Sequence, residues 1–292
     1  MIHTIEHYGD FPQYNDETDT LSFSRIYGAG SNMMYLLLLL MYLKLKNFYP
    51  KKIIANLKFY HDINLYDKIF EINLDNLNKW KEFDSNQVTN FVYKNGLNLY
   101  GLGTSRDSMD FNLISCILNV YFNFKQNIFN EAQSFINDTK INIEDDTFIW
   151  WRRSDKPTEI TWYSNEHKYP SVDQIIPLLK SSGNKFLQTD DDNIKNEVLN
   201  LNIENLKLLN YLPTCNNNEG FHNIIKHTDP NNFLNKYSCT VEHHLIKFFS
   251  LILAASRFKY FIGYPGTISY IVAILRKNFD NFVFFKNSLE FY

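Results

Sequence analysis

What this chain lacks narrows it first. Its longest apolar run, Met33 to Leu43, is eleven residues bounded by Asn32 and Lys44, whereas a membrane-spanning helix needs roughly 20 apolar residues to cross about 30 Å of hydrocarbon. No basic segment precedes that run and no small-residue cleavage site follows it, so a cytoplasmic protein with no membrane span is expected. Cysteine is scarce: Cys116, Cys215 and Cys239 are far apart and form no CxxC pair, which argues against a disulfide framework or a structural zinc site. Charge of one sign is missing too. Lys and Arg total 29 against 32 for Asp and Glu, leaving no basic field to attract nucleic acid or an anionic membrane. Any bound anion must be met by a local cluster. With only 10 glycines and 8 prolines in 292 residues, each glycine-rich turn stands out, and no repeat of 20 to 50 residues or long low-complexity linker is present.

What the sequence does have is apolar content, 45% of residues, enough for one large core or two ordinary ones. Short β-rich runs alternate with stretches of helical period, the pattern of stacked βα units around a mainly parallel sheet. In the first half, FSRIY (23–27) and KKIIANLKFY (51–60) read as strands with a turn and helix between them, and KIFEINL (68–74) as a weaker third. Residues 108–136 keep an apolar period near 3.6 through two helices broken around Lys125. The polar stretch NDTKINIEDD then separates this half from a fresh buried-strand signal, TFIWW. From there the alternation restarts: SVDQIIPLLKSS, KFLQT, DNIKNEVLN, LKLLN, VEHHLIKFFSLILAAS, FKYFIG, TISYIVAILRK and NFVFF alternate as helix and strand, with YLPTCNNNEGFHN as an irregular segment. Two βαβ domains in tandem, 1–140 and 141–292, with a cleft between them, are predicted. In open α/β sheets ligands bind beyond the carboxyl ends of the strands, so the turns there carry the functional candidates.

Four such turns concentrate chemistry. Gly28 and Gly30 in GAGSN open the leucine-rich helix, although Met33 breaks the six-residue dinucleotide fingerprint. WWRRSDKPTE puts Arg152, Arg153 and Lys156 on one turn after a strand; Arg can fork onto phosphate oxygens, so a pyrophosphate suits it, against the bland alternative of a solvated charge run. FLQTDDDN ends a strand in Thr189 and three aspartates. One of these, Asp191 or Asp192, is explained as an N-cap stabilising the next helix by about 1 kcal/mol; Asp190 with Asp192 also has the spacing of a divalent-metal pair. YFIGYPGTIS brings Gly263, Pro265 and Gly266 to a helix start at Thr267, either an anion site or an ordinary turn with Thr267 as N-cap. Among the histidines, His243 and His244 point apart on a helix, and His222 lies in a loop.

Taken in order, these motifs resemble the landmarks of the GDP-fucose-dependent fucosyltransferases of the α1,6 and protein O-linked superfamily, bacterial nodulation fucosyltransferases included. That family's glycine-rich turn ending in Asn is matched by Gly28, Gly30 and Asn32, and its Arg-Arg-x-Asp-Lys motif by Arg152, Arg153, Asp155 and Lys156. The strand ending Thr-Asp-Asp is matched by Thr189, Asp190 and Asp191, and the last turn by Pro265, Gly266, Thr267 and Ser269. The resemblance implies a GT-B fold, two Rossmann-like domains with the active site in the interdomain cleft and the nucleotide sugar held mostly by the second. It also implies an inverting transfer without a metal or other cofactor, a GDP-fucose donor, and a glycan or glycoprotein acceptor. Arg152 would then hold the diphosphate and polarise the leaving group, Thr267 would donate to a phosphate, and Arg153 with Asp155 would keep the motif in shape. Glu159 falls near the family's carboxylate base, and Trp150 stands where the family has a histidine that contacts the nucleotide. Two other readings of the same residues are a metal-dependent GT-A transferase using Asp190 and Asp192, and a non-catalytic carbohydrate- or nucleotide-binding protein on a decayed transferase fold.

Overall fold

A computed structural model describes residues 1–5, 11–95, 109–152, 171–215, 220–264, 266–285 and 289–291. The chain divides into two compact units, Met1–Phe129 and Asn130–Tyr292. None of the helices among the described residues is long and apolar enough to cross a membrane.

The first unit is built on a mixed five-stranded sheet. Strands β1 (Ile2–Thr4), β2 (Gln13–Asn15), β3 (Thr20–Arg25), β4 (Lys52–Leu57) and β5 (Ile63–Asn64) lie in that order, and only β3 and β4 pair parallel. Their connection is helix α1 (Ala29–Leu45), which carries the leucine run. Residues Leu36 to Leu40 are all essentially inaccessible, and each buried leucine contributes roughly 1.5–3 kcal/mol relative to exposure. A helix so uniformly apolar has to be enclosed. Even Lys44 near its end is buried. Its ammonium donates to the Trp80 and Lys81 carbonyls at 2.7 and 2.9 Å, capping the end of a short helix at Leu77–Glu82, and burial pushes its pKa down.

The strands are shifted or shortened against the apolar runs that announce them: β3 begins at Thr20, three residues before the expected FSRIY, and β4 is shorter than KKIIANLKFY. Ile26 and Tyr27 fall outside β3, and Lys58–Tyr60 form a 3-10 turn after β4. The weaker third strand contracts to Phe70–Glu71, because Asn64 and Asn73 cap short helical turns on either side of it. The helical pair falls as expected, with Phe111–Tyr121 capped by Asp110 and Gln126–Thr139 following the break at Phe122–Lys125.

The second unit follows the predicted alternation more closely. Along the chain run strand βA (Thr147–Trp151), helix αA (Val172–Leu179), strand βB (Lys185–Thr189), helix αB (Asp192–Asn200) and strand βC (Leu206–Leu208). Three helices follow, αC (Phe221–His227), αD (Pro230–Tyr237) and αE (Val241–Ala255), then strand βD (Tyr260–Gly263), helix αF (Thr267–Arg276) and strands βE (Phe282–Phe285) and βF (Leu289–Phe291). Across the sheet the order is βC-βB-βA-βD-βE-βF, with every pair parallel except βE with βF. Numbered along the chain this is 3-2-1-4-5-6, the doubly wound order of nucleotide-binding sheets. Central strands buried on both faces read as continuous apolar runs. TFIWW does so: Phe148, Ile149, Trp150 and Trp151 are all buried, with Ile149 and Trp151 packing on αA and αB.

Candidate nucleotide site

In the 3-2-1-4-5-6 order the chain leaves βA in one direction and returns to its other side at βD. The crevice at the carboxyl ends of these two strands is the topological switch point, where ligands bind in such sheets. Arg152 is the first residue beyond βA. Register explains its neighbour: Trp151 pairs with Thr189, so the next residues along each strand, Arg152 and Asp190, come side by side. The Arg152 Nε lies 3.5 Å from Asp190 Oδ2, both side chains being mostly covered. Nη2 of the same guanidinium lies 3.5 Å from His222 Nδ1. His222, expected in a loop, is in fact the second residue of αC, whose N-cap is Gly220.

The three aspartates separate into three tasks. Asp190 pairs with Arg152. Asp191 is the N-cap of αB, accepting from the Asn193 and Ile194 amides at 2.8 and 3.3 Å. Asp192 accepts from the Thr214 hydroxyl. This turn is tied down by an isolated bridge to Cys215, whose amide donates to the Asp190 carbonyl at 2.9 Å while its own carbonyl accepts from Asp192 at 3.2 Å. Thr214 and Cys215 carry no sequence signal for this role; they lie more than 20 residues from the aspartates and meet them only through the fold. Each of these side-chain contacts engages one carboxylate oxygen, Oδ2 of Asp190 with Arg152 and Oδ1 of Asp192 with Thr214.

At the neighbouring strand end, Gly263 closes βD opposite Trp150. A Cβ at Gly263 would overlap Ser269 Oγ and come within 2.7 Å of the Phe261 ring. The absence of that carbon lets the first turn of αF press onto the strand. Ser269, 3% exposed, donates its hydroxyl to the Tyr264 carbonyl at 2.6 Å and ties the turn shut. The N-cap is Gly266, not Thr267, which instead is the first helical residue and partly exposed. Glycine has no side chain to offer, so among the described residues the amides of this helix start have no side-chain cap, and such a terminus favours an anion.

Other predicted positions fall differently. Trp150 is 5% exposed, its ring against Phe148 and, edge-on, Phe248, so its indole belongs to the core beneath the turn. In the first unit Gly28 is the N-cap of α1, while Gly30 and Asn32 lie on its first turn, both buried. Asn32 donates Nδ2 to the Tyr27 and Gly28 carbonyls at 2.7 and 3.1 Å. Arg153, Asp155, Lys156, Glu159 and Pro265 lie outside the described residues, as does the stretch around Arg106. No group of three or more potential metal ligands occurs among the described residues.

No protein family and no curated protein matches the chain. Among solved structures, one titled "Crystal structure of NodZ alpha-1,6-fucosyltransferase soaked with GDP-fucose" is similar, with a TM-score of 0.48 and 11% sequence identity over 94% of this chain and 98% of that one.

Proposed function

We propose that the chain is an inverting, metal-independent glycosyltransferase that moves fucose from GDP-fucose to a hydroxyl of a glycan or protein. The observation that carries the proposal is the placement of Arg152 and the uncapped start of αF at the carboxyl ends of βA and βD, the two strands flanking the switch point. A diphosphate is the ligand that such a pair of donors suits, since one side supplies a guanidinium and the other backbone amides with a positive dipole end. The choice of guanosine and fucose rests on the four motifs and their order along the chain.

In this reading the donor diphosphate lies between Arg152 and the N-terminus of αF. The acceptor hydroxyl attacks the anomeric carbon from the side opposite the phosphate, forming the new C–O bond as the bond to the diphosphate breaks, so the sugar carbon inverts. Negative charge grows on the leaving oxygen. Arg152 meets it, with Thr267 donating to a phosphate. Preorganised donors of this kind favour the transition state over the ground state. Asp190 holds Arg152 through Nε, which saves the cost of ordering it when the donor arrives. Glu159 is assigned the acceptor proton.

Arg152→Ala tests the assignment. With GDP-fucose and a panel of glycan acceptors, GDP release by the variant should fall by about 100- to 1,000-fold, corresponding to roughly 3–4 kcal/mol of lost charge stabilisation. Turnover close to wild type would overturn it.

A further inference from the structure

Tyr27 is unusual in being both exposed and fixed. It sits on the turn between β3 and α1 with 43% of its surface accessible, although its backbone carbonyl is held by Asn32. Beneath its ring lies the guanidinium of Arg25, 4.5 Å from the ring centroid. Arg25 is itself 4% exposed, and the same guanidinium is 3.7 Å from the centroid of Tyr35, a residue wholly inside the core. A buried ring, a buried cation and an exposed ring are thus assembled at the end of β3. Rigid aromatics of this kind offer a contact face at little conformational cost.

Two further features of the turn bear on what that face would meet. The N-cap of α1 is Gly28, which offers no side chain, so among the described residues its first amides have no side-chain cap. Asn32, on the same turn, is completely buried; with Nδ2 donated back to Tyr27 and Gly28, its Oδ1 has no hydrogen-bond partner among the described residues. A buried acceptor left unmet is unfavourable until a donor reaches it. The turn therefore pairs donors with an acceptor beside an aromatic face. A hydroxyl both donates and accepts, and the C–H face of a pyranose ring lies flat on an aromatic.

We infer that Tyr27, with Asn32 and the start of α1, forms a sugar-binding subsite in the first unit. The inference rests on the transferase reading and deepens it by naming where a sugar ring is held. That ring belongs either to the fucosyl group of the donor or to the acceptor glycan; the chemistry is shared, and measurement separates the sources.

The test is calorimetry on the full chain with GDP, with GDP-fucose, and with mannose-, galactose- and N-acetylglucosamine-terminated oligosaccharides, comparing wild type, Tyr27→Ala and Tyr27→Phe. Tyr27→Ala should leave GDP affinity unchanged while weakening one sugar ligand by roughly tenfold, the loss expected for one aromatic contact; Tyr27→Phe should retain it. Loss confined to GDP-fucose places the donor sugar on Tyr27, and loss confined to an oligosaccharide places the acceptor there. The inference fails if Tyr27→Ala matches wild type for every sugar ligand, or if wild type binds no oligosaccharide and does not distinguish GDP-fucose from GDP. Should GDP itself not bind, the transferase reading falls while the oligosaccharide titrations still decide the subsite.

Discussion

At the scale of single residues, His244 shows how this chain handles polarity in its core. The imidazole is enclosed by Phe221 and Phe233, at ring-centroid distances of 4.8 and 6.1 Å, and its Nδ1 has no partner among the described residues. Burial, with smaller contributions from Lys247 and His243, lowers its pKa from 6.5 to about 3. A lowered value means the unfolded chain takes up the proton more readily. Stability from keeping His244 neutral is therefore fully present above pH 6.5 and lost as the pH falls from there toward 3, at a limiting slope of about 1.4 kcal/mol per pH unit. In Phe221's neighbourhood a phenyl ring fits the same aromatic surroundings. His244→Phe should accordingly flatten the acid side of the stability curve, measured by urea unfolding at pH 7, 6, 5 and 4. An unchanged slope would show that His244 is not the group taking up the proton.

Among elements, the turn from βD into αF is the one whose geometry most depends on a single atom's absence. Gly263→Ala would drive a methyl group into Ser269 and the Phe261 ring. Overpacking of this kind costs about 1–3 kcal/mol, and here it also shifts the amides proposed to meet the donor phosphate. Urea unfolding should show that loss, and removing the clashing hydroxyl in a Gly263→Ala/Ser269→Ala double variant should recover part of it, a non-additive pair. Strict additivity would separate the glycine from the serine and leave the turn unexplained. A second terminus is secured by a buried cation: Lys185, at the start of βB, donates to the Ser181, Ser182 and Gly183 carbonyls at 2.5, 3.1 and 2.8 Å, closing the end of αA. Elements buried in the middle of the second unit's sheet were the most legible from sequence, because TFIWW and YFIG are almost wholly apolar; KFLQT is buried throughout although Lys185, Gln188 and Thr189 are polar. Those least legible were the β1–β2 hairpin and the αD helix, whose residues are mixed and polar. The Asp229-Pro230 start of αD was nevertheless a readable signal, an N-cap followed by proline in the first turn. Nothing in the sequence announced that Arg152 would meet both Asp190 and His222, since the first contact comes from strand register and the second from a helix start 70 residues away.

For the molecule as a whole, the second unit carries the proposed donor chemistry. Its 3-2-1-4-5-6 sheet brings two separate donor groups, Arg152 and the uncapped αF amides, to the strand ends where a nucleotide diphosphate is expected. The first unit departs from the alternating parallel plan: it has a single β3-α1-β4 crossover, with antiparallel strands on either side. Its leucine run is therefore scaffold for one crossover, and the residues to watch are those on the turn before it. The most direct test of the central claim is calorimetric titration of GDP, beside UDP and ADP, into the full chain in EDTA, with Arg152→Ala in parallel. The account predicts that GDP binds at one site per chain in EDTA, and that Arg152→Ala weakens it by about 10- to 100-fold, the loss of one hydrogen-bonded charge. Equal GDP affinity in the variant, or no binding of any nucleoside diphosphate by wild type, would contradict it.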